Sequence, residues 1–137
     1  MEYELSRNGM GIRVAEMGAE LQSFTACGRE WMWSGDASVW GRRAPACFPW
    51  CGRLKDGYFV QDGVRYENGP HGFAREYPHD LAGQDEESLT FRLDWNEETW
   101  KRYPWKFRLE TVYRLGEGKL SSTYRGYNLD EREMPFQ

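Results

Sequence analysis

The chain has 137 residues with a formal net charge of −4, and 29% of its residues are charged. That acidic balance speaks against nucleic acid as a partner, because a protein that neutralises phosphates carries a basic surplus. No stretch approaches the ~18 consecutive apolar residues of a membrane span, so no membrane association is expected. The N-terminus "MEYELSRNGMG" has neither a basic lead nor an apolar core of an export signal. With an odd number of cysteines, three, this predicts free thiols and a cytoplasmic location.

Aromatic residues make up 16% of the chain, with seven Trp and eight Tyr. Such enrichment fits β-rich packing, and it also fits flat platforms for sugar rings. In chain order, Tyr3–Ser6 and Ile12–Glu16 alternate in polarity around Asn8-Gly9, a two-residue hairpin turn. Leu21–Phe24 and Glu30–Trp33 repeat the pattern around Cys27-Gly28, and Tyr58–Gln61 and Val64–Glu67 repeat it around Asp62-Gly63. Leu89–Trp95 and Phe107–Leu115 each place alternate apolar residues on one face, and the second turns at Gly116-Glu117-Gly118 into Lys119–Tyr124. The one helical stretch is Asn96–Tyr103, opened by an Asn suited to capping and closed by Pro104. About ten short strands with turn signals every 8–12 residues predict an all-β, antiparallel β-sandwich. No linker or repeat divides the chain, so residues 1–137 read as a single domain.

Residues 34–57 and 68–77 break the alternation, and irregular loops in a β domain usually carry function. Within the first, Cys47 and Cys51 lie four apart around Phe48-Pro49-Trp50. A metal site needs more ligands than this pair offers, and the spacing is not that of a thioredoxin-like redox site. The expectation is therefore small buried thiols that pack beside Phe48 and Pro49, with no metal bound. His71 sits between Pro70 and Gly72 in the second loop, where an imidazole can meet a ligand near neutral pH, although a structural role stays open. His79, after Pro78, reads as structural. Arg53 follows Gly52, so its fork can extend from a backbone turn towards hydroxyls or phosphate.

Taken together, Gly41-Arg42-Arg43-Ala44-Pro45, Phe48-Pro49, Gly52-Arg53-Leu54-Lys55-Asp56-Gly57, His71-Gly72-Phe73-Ala74-Arg75 and Met134-Pro135-Phe136 resemble the aldose 1-epimerase (galactose mutarotase-like) family in order and spacing. Gly18-Ala19-Glu20-Leu21 and Trp31–Asp36 share the likeness, which covers the whole chain. The resemblance implies the N-terminal portion of a galactose mutarotase-like supersandwich, with a hexose bound in a cleft on one sheet. It implies general acid/base interconversion of α and β anomers, with no cofactor. His71 then matches the sugar-holding histidine, the one member of the catalytic set present, and Arg53 matches the sugar-holding arginine. Arg75, Arg42 and Trp40 are further substrate-binding candidates. The family's acid histidine and base glutamate follow the Met-Pro-Phe segment, so this chain is expected to hold a sugar and to be nearly inert alone. A hexose 6-phosphate is the alternative substrate, with Arg42, Arg43 and Arg75 as its phosphate cluster. A carbohydrate-binding module without turnover, and a fragment without function, are the other readings. Half a sandwich also leaves a bare sheet edge, through which the chain could form a homo-oligomer.

Overall fold

The computed structural model describes residues 1–137 and is built almost wholly of antiparallel strands. The first sheet has the order β1 (Glu2–Arg7), β2 (Met10–Ala15), β3 (Glu20–Ala26), β4 (Arg29–Glu30). The second runs β10 (Leu120–Asn128), β9 (Phe107–Leu115), β8 (Ser88–Asp94), β7 (Asp80–Gln84). A separate hairpin pairs β5 (Tyr58–Gln61) with β6 (Val64–Glu67). The expected tight turns are present, with positive φ at Asn8-Gly9, Cys27-Gly28 and Asp62-Gly63, a backbone twist that matches that of paired strands.

The two large sheets face each other. Leu5, Ile12, Val14 and Leu21 of the first interlock with Leu89, Phe91, Tyr113 and Leu115 of the second in one buried cluster. Period two makes this possible: β9 alternates fully buried and partly exposed positions from Phe107 to Leu115. The Tyr113 hydroxyl crosses the layer to donate to the Ala19 carbonyl at 2.8 Å. A second cluster lies at the other end of the same strands, where Leu93, Phe107 and Leu109 meet Phe48, Trp50, Phe73, Tyr103 and Trp105. Its aromatic rings pack mostly edge to face or tilted, with Tyr103 and Trp105 at 4.6 Å between centroids. This second cluster anchors the two irregular loops.

The structure departs from the expected elements at three places. Trp31–Trp33 lies outside β4, because the Glu30 carboxylate bends back and accepts from the amides of Phe24, Trp31 and Met32. The Trp31 amide is shared between that carboxylate and the Phe24 carbonyl, while the Phe24 and Met32 amides turn to the side chain. The last strand runs on to Asn128 rather than stopping near Tyr124. The helix α1 covers only Glu97–Trp100, although Asn96 caps it as expected by accepting from the Glu98 and Thr99 amides at 2.9 Å each. Strand β10 hydrogen-bonds only to β9, and from Thr123 to Asn128 every residue is exposed. No helix is long and apolar enough to cross a membrane.

Candidate functional site

Three sequence segments meet to build the site: residues 47–53, residues 70–75 and the last few residues. Phe48, Pro49 and Trp50 are buried, as are Gly72, Phe73 and Ala74, and four of the six belong to the second cluster. The segments bond directly. Phe48 donates its amide to the His71 carbonyl at 3.3 Å, while the Phe48 carbonyl accepts from Phe73 at 2.9 Å and Ala74 at 3.2 Å. The Gly52 carbonyl accepts from the His71 amide at 2.7 Å. Residue 137 closes the third side: its amide donates to the Pro49 carbonyl at 2.9 Å, and its carbonyl accepts from the Cys51 amide at 2.8 Å. The Tyr103 hydroxyl holds that segment by donating to the Pro135 carbonyl at 2.7 Å. The Phe48-Pro49 bond is cis.

Gly72 is where the close approach becomes obligatory. Its φ is +69°, and a Cβ there would fall 2.1 Å from the Phe48 carbonyl oxygen and 2.7 Å from the Pro49 nitrogen. Only glycine lets the two loops touch in this way.

His71 is itself in the left-handed region, with φ 67°. Its Nδ1 accepts from the Gly52 amide at 3.0 Å. An amide can only donate, so Nδ1 carries the lone pair and Nε2 carries the ring proton of the neutral imidazole. The half-buried ring therefore offers Nε2 as a hydrogen-bond donor. One residue after Gly52, Arg53 is exposed and makes no hydrogen bond or ion pair with the rest of the chain. A free guanidinium fork and an oriented imidazole N–H on adjoining turns suit a ligand rich in hydroxyl oxygens.

The other candidates are placed differently. The Arg75 Nη2 donates to the Pro70 carbonyl at 2.8 Å, which braces the His71 loop. Arg42 pairs with the buried Glu20 at 3.4 Å. Arg43 donates its amide to Glu20 at 2.6 Å and its guanidinium to Gln22 at 2.6 Å and the Ser34 carbonyl at 2.5 Å. These two arginines tie residues 42–44 to β3. Trp40 is 50% exposed, and its carbonyl accepts from the Trp33 indole at 2.8 Å. His79 is fully buried, with Nε2 2.9 Å from the Ala74 carbonyl and no partner on Nδ1. Burial holds its pKa below the ordinary value, so it stays neutral beneath the loop.

The expectation of buried thiols is corrected. Cys47 and Cys51 are both exposed, because the buried places in this segment go to Phe48, Pro49 and Trp50 and turn the flanking thiols outward. Partial desolvation of its sulfur, with Cys51 beside it, raises the pKa of Cys47. The two sulfurs and a His71 ring nitrogen all lie within 4.8 Å of one another. Sequence spacing concealed this cluster, because its third member arrives on a different loop. The Gly52 amide, which sets the His71 tautomer, was equally hidden; Pro70-His71-Gly72 signals a turn but not its partner. A groove of about 400 Å³ is lined by Cys47, Leu109, Tyr124, Gly126, Phe136 and Gln137. Neither Arg53 nor His71 lines it.

The sequence model for aldose 1-epimerase matches residues 1–137. Protein LacX, chromosomal, of Lactococcus lactis is 29% identical, over 99% of this chain and 48% of the relative. A galactose mutarotase related enzyme from Lactobacillus acidophilus superposes with a TM-score of 0.96 at 36% identity, over 99% of this chain and 46% of the other. A galactose mutarotase-like protein from Lactobacillus casei gives 0.94 at 33% identity, over 99% and 47%. The chain thus spans about half the length of the relatives it matches.

Proposed function

Because this chain belongs to the aldose 1-epimerase family, we propose that it supplies the sugar-holding side of an anomer-interconverting isomerase. The observation that supports this most is the Gly52–His71 hydrogen bond, which leaves Nε2 of His71 as a donor, with the unpaired Arg53 one residue on from Gly52. Conversion of one anomer into the other requires the anomeric hydroxyl to lose a proton while the ring oxygen gains one. The ring opens, the aldehyde carbon rotates about its bond, and the steps reverse. In this reading His71 and Arg53 hold the hexose oxygens in place while a general acid and a general base act across the C1–O5 region. His79 takes no part, being buried and neutral under the loop. Neither holding residue needs a cofactor for this work.

The test is amide NMR of the 137-residue chain during titration with galactose, glucose and glucose 6-phosphate. Shifts at Gly52, Arg53 and His71 that disappear in Arg53→Ala are expected, and the sugar that saturates first identifies the substrate class. Polarimetry on α-galactose should then show the buffer rate with this chain alone. It should show acceleration when the chain is carried on to the relatives' length. If no sugar perturbs those amides at tens of millimolar, the proposal fails. Association through the bare β10 edge belongs to the same reading. Sedimentation that stays monomeric at high concentration would remove that part.

A further inference from the structure

We propose that Cys47, Cys51 and His71 form a binding site for a thiophilic d¹⁰ cation of the zinc(II) class. One ligand atom from each residue already lies within 4.8 Å of the other two. Tetrahedral zinc holds sulfur at about 2.3 Å and imidazole nitrogen at about 2.0 Å, which places neighbouring ligands roughly 3.5–4 Å apart. The three atoms therefore need to draw together by about 1 Å, a movement that small side-chain rotations can supply. Both cysteines are exposed, so an ion has a direct path of entry.

The backbone fixes the spacing of all three. Phe48 N to His71 O, His71 N to Gly52 O and Cys51 N to Gln137 O clamp the two loops on either side of the cluster. The tautomer is also suitable: the Gly52 amide keeps the lone pair on Nδ1. Ligation through that nitrogen exchanges one backbone hydrogen bond for the ion and moves no proton within the ring. Two thiolates and an imidazole select a soft or borderline ion over calcium or magnesium, which prefer oxygen ligands. Loading is balanced as Zn²⁺ + 2 RSH → Zn(SR)₂ + 2 H⁺, with water completing the fourth position. This site stands on geometry alone and needs no sugar.

Cobalt(II) is the probe. The reduced 137-residue chain, titrated without oxygen in a phosphine reductant, should develop a thiolate-to-cobalt charge-transfer band and intense tetrahedral d–d bands. Both should saturate at one equivalent and disappear on addition of zinc(II). Cys47→Ser and Cys51→Ser should each lose the band, and Cys27→Ser, whose thiol sits in the β3–β4 turn, should keep it. A second measurement needs no variant: zinc(II) should protect Cys47 and Cys51, but not Cys27, from alkylation mapped by mass spectrometry. Absence of the band at one equivalent, or equal alkylation of all three cysteines with and without zinc(II), overturns the proposal.

Discussion

Replacement of Gly72 by Ala tests how the site is held. Two costs are expected, and three glycines separate them. At Gly69 an added Cβ meets nothing within 4 Å and φ is not positive, so Gly69→Ala should be neutral or stabilise by about 0.5 kcal/mol through the unfolded chain. At Gly57 the Cβ again meets nothing, but φ is +76°, so only the left-handed penalty of about 1 kcal/mol applies. At Gly72 that penalty is joined by a Cβ position 2.1 Å from the Phe48 oxygen and 2.4 Å from its carbonyl carbon. Both neighbours are backbone, so relief requires the two loops to part. Parting breaks the bonds from Phe48 N to His71 O and from Phe73 N and Ala74 N to Phe48 O. At about 1 kcal/mol each these add roughly 3, for a total near 4 kcal/mol. Urea unfolding followed by tryptophan fluorescence measures the series. A Gly72→Ala loss under about 1.5 kcal/mol, no greater than that of Gly57→Ala, would refute the claim that this contact holds the loops.

Three further outcomes follow from the same geometry. His79 has a folded pKa below its unfolded value of 6.5, so the unfolded chain binds the extra proton. Stability should be fully present above pH 6.5 and fall as pH drops through that value, and urea midpoints of His79→Leu should lack this part of the slope. Removal of the cap in Asn96→Ala should cost about 1 kcal/mol by the same denaturation, since two amides lose their acceptor. Glu20→Ala leaves the Arg43 and Ala44 amides and the Arg42 guanidinium without their acceptor. It should destabilise by about 3 kcal/mol and raise hydrogen exchange first at residues 42–44.

Alternation made the sheets legible because water on one side and a core on the other impose period two. Phe107–Leu115 could therefore be assigned residue by residue from its apolar positions. Trp31–Trp33 carried the same local pattern and lies outside the strand, because the Glu30 side chain competes for the Trp31 amide and takes that of Met32, a competition no sequence rule weighs. The site was legible in its parts. Arg53 and His71 stood out as polar side chains on glycine turns, but the Gly52 amide on Nδ1 and the approach of Cys47 and Cys51 to His71 arise only when the loops meet. Arg42 and Arg43 show what a sequence leaves out about the partners of a charge. A pair of charges in a loop reads as a binding patch, yet the Arg42 guanidinium meets the buried Glu20 and that of Arg43 meets Gln22 and the Ser34 carbonyl.

The hydrogen bonds between residue 137 and the Pro49–Cys51 segment also set an order of assembly. The β1–β2 hairpin needs only neighbouring residues and can close while synthesis continues. The loop at residues 47–53, by contrast, takes a backbone partner as far along the sequence as residue 137. During synthesis, the β1–β2 hairpin can therefore form well before residues 49–51 gain their bonds to residue 137.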